Sequence, residues 1–129
     1  MGMKALLDTH TFLWAISDDE RLSRRAQKTF TGPNELWLSV ASLWEILIKV
    51  KTGKLPLPEP SGSYLVRKLS ENRIDVLPIK LDHVLRIETL PVHHRDPFDR
   101  ILIAQSIVEK LPLITSDPIF EHYPVELIW

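Results

Sequence analysis

Short apolar runs alternate with amphipathic stretches along most of the chain, and this alternation predicts the elements. Residues 4–8 (Lys-Ala-Leu-Leu-Asp) form a brief apolar run closed by a carboxylate, a buried strand. Phe12, Leu13 and Ile16 then recur at helical spacing over 9–16. A second helix is predicted over 23–30, with Ser23 as its cap and Gly32-Pro33-Asn34 as its stop. Residues 35–39 (Glu-Leu-Trp-Leu-Ser) read as the next strand. Ser39 then caps a helix through 51 that Gly53 closes. Further on, the pattern predicts a helix over 64–72, a strand over 75–79 and a short helix over 81–89. Pro97 at a first helical position opens a helix over 98–110. A strand over 112–115, a short helix opened by Asp117 and a strand over 125–128 complete the chain.

Strands separated by helices imply a parallel sheet covered on both faces. The expected fold is α/β: a three-layer α/β/α sandwich with a mainly parallel sheet of four to five strands. Pro56, Pro58 and Pro60, with Gly53 and Gly62, mark an internal connection, and no repeat or linker divides the chain. A single domain over 1–129 is expected, since 129 residues suffice for one core.

Composition narrows the chemistry. The absence of Cys excludes disulfide frameworks, thiolate metal sites and cysteine nucleophiles. With 16 Lys plus Arg against 17 Asp plus Glu, the chain is no generally basic nucleic-acid coat, but local charge still permits a nucleic-acid enzyme. No apolar run reaches the roughly 18 residues of a membrane span, and the first residues lack a signal-peptide layout. A cytoplasmic location without membrane contact is the expectation.

In open parallel sheets, ligands sit beyond the carboxyl ends of the strands. Asp8 and Asp117 stand at two such ends, and a carboxylate there is costly unless capped, paired or bound to a cation. Capping explains each singly, because Asp8 precedes Thr9 and Asp117 precedes Pro118. Asp96 is a cap with Pro97 at the first helical position, which places Asp99 on the first turn of an apolar helix. Glu45 sits inside the run 40–48, apolar on nearly every side. A buried Glu held by a metal or a hydrogen-bond network suits that run better than a surface pair with Lys49. Asp8, Glu45, Asp99 and Asp117 together are an all-oxygen set, which favours Mg²⁺ or Mn²⁺ over zinc.

Four segments carry a family resemblance: Leu6-Leu7-Asp8-Thr9; Ser39 with Ser42-Leu43-Trp44-Glu45-Ile46; His94-Arg95-Asp96-Pro97-Phe98-Asp99-Arg100; and Thr115-Ser116-Asp117. In this order and over this length the chain resembles the PIN-domain ribonucleases, in particular the VapC-type toxins of prokaryotic toxin–antitoxin pairs. The resemblance implies a metal-dependent endoribonuclease that hydrolyses RNA phosphodiester bonds and leaves a 5′-phosphate and a 3′-hydroxyl. It implies that Asp8, Glu45, Asp99 and Asp117 hold one or two Mg²⁺ or Mn²⁺ ions. Asp96 is then a cap or an outer support of that set, and Thr9 and Ser116 adjoin two of the acids and orient water or a carboxylate. Either Asp8 or Asp117 accepts the proton of the attacking water.

His94, Arg95 and Arg100 are candidate RNA contacts, as are the basic segments Arg21-to-Lys28 and Lys49-to-Lys54, although each charge run equally suits a solvated helix face. Trp14, Trp37, Trp44 and Trp129 read mostly as core. Phe12, Leu13 and Trp14 leave room for an apolar groove, where the resemblance implies a cognate antitoxin peptide; it also implies a homodimer through another helical face. Two other readings stand beside this one: a non-catalytic Mg²⁺-binding receiver-like domain and a protein-interaction module whose acids are caps. The receiver-like reading wants a pair of acids after the first strand, and Asp8-Thr9-His10 lacks it.

Overall fold

Ala5, Leu6 and Leu7 are all fully buried in β1 (Lys4–Leu7). Successive strand side chains point to opposite faces, so a strand apolar at consecutive positions needs cover on both. Ala5 and Leu7 pack with Phe12, Ala26, Ile46 and Leu65, whereas Leu6 packs with Leu102, Ile103 and Phe120. The computed structural model describes residues 2–93 and 95–129. After β1 come α1 (Thr9–Ile16), α2 (Arg24–Thr31), β2 (Glu35–Ser39), α3 (Val40–Lys51), α4 (Ser61–Glu71) and β3 (Ile74–Leu77). There follow α5 (Leu81–Arg86), a 3-10 turn (Ile87–Thr89), α6 (Pro97–Glu109), β4 (Leu113–Ile114), a second 3-10 turn (Pro118–His122) and β5 (Leu127–Ile128).

The five strands pair in the order β3-β2-β1-β4-β5, and every pair is parallel. One core lies under α1 to α4 and the other under α6 and the segments around it, which is the three-layer α/β/α sandwich expected. Receiver-like folds have the order 2-1-3-4-5, so this topology removes the receiver-like alternative. The chain winds outward from β1 through β2 and β3, then returns to the other side of β1 with β4. That reversal opens a crevice between the carboxyl ends of β1 and β4.

Local signals place most boundaries. Ser23 Oγ accepts from the Ala26 amide and Ser39 Oγ from the Ala41 amide, so both predicted caps are present. Gly53 takes φ +76° just beyond α3, a conformation that a Cβ would disfavour. The helix expected over 64–72 starts earlier, at Ser61, because Pro60 pre-sets its entry and the polar Ser61-Gly62-Ser63 turn carries no apolar period. The strand expected over 75–79 is Ile74–Leu77, since Pro78 has no amide to donate. The helix over 81–89 breaks into α5 and a 3-10 turn, and the helix opened by Asp117 is itself a 3-10 turn. The strands over 112–115 and 125–128 shrink to two-residue ladders.

Two expectations about apolar residues are corrected. Trp37 and Trp129 are half-buried and pack against the two cores, but none of the four Trp is fully buried and Trp44 is 61% exposed. Likewise α3 is not enclosed on nearly every side: Val40, Trp44, Leu47 and Ile48 remain exposed, while Ile46 and Glu45 turn inward. Composition counts apolar residues, but the curvature of a small three-layer sandwich leaves outer helix faces without cover.

Candidate metal centre

The parallel ladder itself assembles the first half of the site. β1 and β4 pair Leu6 with Leu113 and Leu7 with Ile114. One step further, the same register sets Asp8 beside Thr115. Asp8 is 5% exposed; its Oδ1 accepts from the Thr11 amide at 2.7 Å, capping α1, and its Oδ2 accepts from Thr115 Oγ1. Thr115 Oγ1 in turn accepts from the Asp117 amide at 3.1 Å. One hydroxyl therefore links the Asp8 carboxylate that ends β1 to the backbone amide of Asp117 after β4. Asp117 is exposed and caps the second 3-10 turn through Ile119 N at 3.0 Å. Burial pushes the Asp8 carboxyl above its ordinary value of 3.8, against the lowering effect of the Thr115 and Thr11 hydrogen bonds.

The second half hangs on Thr9, the residue after Asp8. Its buried hydroxyl lies 2.8 Å from Glu45 Oε1 and 2.9 Å from Ser42 Oγ. Having one proton, it donates to the carboxylate while the Ser42 hydroxyl donates to it. Glu45 is 7% exposed, and its Oε2 meets Lys49 Nζ at 3.0 Å. The pairing with Lys49 that the apolar run argued against is therefore present, together with the hydrogen-bond network. Both exist because the inward turn of α3 ends near its solvent edge at Lys49.

Asp99 is half-buried on the first turn of α6. Trp44 and Phe98, each just ahead of Glu45 and Asp99, meet edge to face at 5.2 Å and so hold α3 against the start of α6. Asp96 caps α6, accepting from the Phe98 and Asp99 amides at 2.8 and 3.2 Å. Arg100 donates to the carbonyls of Pro91 and Ile87 at 3.3 and 3.4 Å, which fastens the segment ahead of α6. Arg95 and Ser116 are exposed, and His94 lies outside the described residues. In the first basic segment, Arg21 is bonded to Asp19 at 2.7 Å, lies over the Trp14 ring and holds the Asp19 carboxyl down at about 2.

Among the described residues, no three His, Asp or Glu side chains are grouped closely enough to hold one metal ion. What the structure brings together is two hydrogen-bonded sets, Asp8-Thr115-Asp117 and Thr9-Ser42-Glu45-Lys49, joined through the consecutive residues Asp8 and Thr9. The donor chemistry fits a hard divalent cation, since every candidate ligand is a carboxylate oxygen. Asp8 adds to the fit: its buried carboxyl is met by hydroxyl and amide donors, and a cation would relieve the cost of its charge. Thr115 and Ser42 carry no local signal that marks them as supports: the β1–β4 register sets Thr115 against Asp8, while Ser116, the neighbour of Asp117, is exposed.

A groove of about 300 Å³ lies between α1 and the 55–57 segment, lined by Leu13, Trp14, Ile16, Leu55, Leu57 and Tyr64. Phe12, expected in its wall, is instead fully buried in the core. Exposed Trp44 and Val84 line a second apolar depression with Ile79 and Phe98, and exposed Leu81 and Leu85 lie on the same short helix as Val84. No described helix is long and apolar enough to cross a membrane.

Comparison with known proteins agrees with this architecture. The PIN domain family profile matches residues 5–126. Ribonuclease VapC16 of Mycobacterium tuberculosis (strain ATCC 25618 / H37Rv) is 46% identical over 50 residues, which are 39% of this chain and 34% of that protein. A chain of VapBC2 from Rickettsia felis, bound to a DNA fragment from its promoter, superposes with a TM-score of 0.73 at 19% identity, covering 97% of both chains. DNA-bound VapBC from Salmonella typhimurium gives a TM-score of 0.70 at 16% identity, covering 98% of this chain and 97% of the other. At those identities the likeness establishes the fold.

Proposed function

The chain belongs to the PIN-domain family, and from that premise we propose that it is a metal-dependent endoribonuclease toxin neutralised by a cognate antitoxin. The observation that carries the reading is the pair of acid-bearing hydrogen-bond networks anchored on the consecutive residues Asp8 and Thr9, just beyond the carboxyl end of β1. The partial likeness to Ribonuclease VapC16 supports the same activity.

In this reading Asp8, Glu45, Asp99 and Asp117 hold one or two Mg²⁺ or Mn²⁺ ions. When bound, such ions neutralise the acids, polarise the scissile phosphoryl group and lower the pKa of a water. The protein's own part is to present the carboxylates. Thr115 holds the Asp8 carboxylate and the Asp117 backbone amide, Thr9 holds Glu45, and Asp96 fixes the first turn of α6 that carries Asp99. Asp8 or Asp117 accepts the proton of the attacking water. Arg95 and His94 lie in the segment leading to Asp99 and supply contacts to RNA phosphates; Arg100 supports that segment through its bonds to carbonyls.

The groove beside α1 suits an apolar antitoxin segment, with Arg21 and Asp19 at its rim. The exposed side chains of Trp44, Leu81, Val84 and Leu85 suit a homodimer contact. The VapBC complexes among the structural neighbours support an antitoxin partner.

The test is cleavage of an end-labelled structured RNA with Mg²⁺ or Mn²⁺ and with EDTA. The wild type cuts only with the metal and leaves 5′-phosphate ends, while Asp8→Ala and Asp99→Asn stay folded and do not cut. Equal cutting by wild type and Asp99→Asn would refute the assignment. A second reading has its own support: Asp8, Asp96 and Asp117 all act as helix caps, as an interaction module would require. Absence of Mn²⁺ binding by the wild type would favour that reading.

A further inference from the structure

Lys49 pairs with a proposed ion ligand without being a ligand itself. It lies on the last turn of α3, one turn beyond Glu45, with Nζ 3.0 Å from Glu45 Oε2 and its side chain 36% exposed. The other oxygen, Oε1, holds the Thr9 hydroxyl at 2.8 Å. Glu45 is thus a buried carboxylate with a neutral donor on one oxygen and a full positive charge on the other. Asp8, buried to the same degree, is met by the Thr11 amide and the Thr115 hydroxyl. The two inward-facing acids are therefore compensated differently.

An ammonium 3 Å from a carboxylate oxygen occupies the place that a divalent cation would take on that oxygen. Two cations on one oxygen repel strongly in a partly buried site. The four-carbon stem of Lys is flexible and its ammonium is readily hydrated, so the charge can withdraw to the solvent edge that Lys49 already touches.

We infer that Lys49 is an internal counter-ion that competes with the divalent cation for Glu45. In the ion-free protein its ammonium offsets the charge of Glu45 and holds Oε2 in place; when an ion enters, Lys49 is displaced toward solvent. This rests on the reading of the acidic set as a divalent-ion centre. Lys49 is a positioning residue here, acting through Glu45, and the competition holds down the affinity of the site for its ion.

The experiment is a titration of the full chain with Mn²⁺ alone, following free Mn²⁺ by electron paramagnetic resonance, for wild type, Lys49→Met, Lys49→Arg and Asp99→Asn. Lys49→Met keeps the apolar stem and removes the charge, and is expected to bind Mn²⁺ several-fold more tightly, on the order of five-fold. Lys49→Arg retains the charge and stays within about two-fold of wild type. Thermal midpoints supply the second readout. Lys49→Met is expected to melt lower than wild type without ions and to close that gap at saturating Mn²⁺. A purely structural role for Lys49 would lower the midpoint equally under both conditions. Unchanged or weaker binding by Lys49→Met, while wild type binds and Asp99→Asn does not, overturns the counter-ion role alone. Failure of wild type to bind Mn²⁺ overturns the ion centre and the counter-ion with it.

Discussion

Thr9→Val isolates the link between the end of β1 and Glu45. Val matches Thr in shape and β-branching, so backbone preference and volume stay nearly constant. What disappears is the hydroxyl of a residue only 3% exposed, which donates to a buried carboxylate at 2.8 Å. Hydrogen bonds to charged groups contribute about 1.5–3 kcal/mol, and removing one from a buried partner falls at that scale. A loss of about 2 kcal/mol is expected. With about 2.1 cal/mol/K per residue, 129 residues give an unfolding entropy of about 270 cal/mol/K, so Tm falls by about 7 °C. The assay is urea unfolding of wild type, Thr9→Val, Glu45→Gln and the double variant without divalent ions. The two side chains touch, so their effects couple by about 1 kcal/mol or more. Thr9→Ser, which keeps the hydroxyl, recovers most of the loss. A Thr9→Val loss below about 0.5 kcal/mol, or strict additivity with Glu45→Gln, refutes the idea that Thr9 fixes Glu45.

Further outcomes follow from other parts of the molecule. Burial raises the native pKa of Asp8 above 3.8, so the ion-free native state binds this proton more tightly than the unfolded chain does. The stability Asp8 contributes is present in full below pH 3.8 and is lost as pH rises through the raised native value; the stability difference from Asp8→Asn, measured by urea unfolding across pH, should shift against wild type over that window, and a flat difference would contradict it. Gly53→Ala forces a Cβ onto φ +76° and is expected to cost about 1 kcal/mol, or about 4 °C in Tm; an unchanged melt would show that the cap tolerates it. His83 is fully buried, accepts from the Lys80 amide on Nδ1 and so donates from Nε2 to Glu109 at 2.7 Å. His83→Ala removes the capping bond from Lys80, the bond to Glu109 on α6 and the 3.4 Å contact with Gln105, and should cost about 3 kcal/mol by urea unfolding, a loss below about 1 kcal/mol counting against it. Saturating Mn²⁺ at one hundred times its dissociation constant should stabilise wild type by about 2.7 kcal/mol, and chelation should remove that gain; no shift in Asp99→Asn is expected.

The linear order of residues was enough to predict an α/β sandwich, because each buried strand and each amphipathic helix carries its own period and caps. Ser23, Ser39, Asp96 and Gly53 act within a few residues of themselves, and so their roles are legible locally. Asp8, Glu45, Asp99 and Asp117 were likewise visible, as carboxylates set in or beside apolar runs. What they touch was not. The Thr115 hydroxyl reaches Asp8 across 107 positions and that of Thr9 reaches Glu45 across 36, and no local pattern encodes either. The preference for Thr115 over Ser116 depends on the β1–β4 register, where a shift of one residue would turn the opposite side chain to Asp8. The exposure of Trp44 and the contact of Lys49 with a buried Glu45 depend on how α3 rolls onto the sheet, which is decided when both cores close. Sequence by itself determined the elements, their order and the acids at their ends. Tertiary structure alone decided the strand order, the hydroxyls that hold the acids and the cation that one of them keeps, because those contacts join segments far apart in the chain.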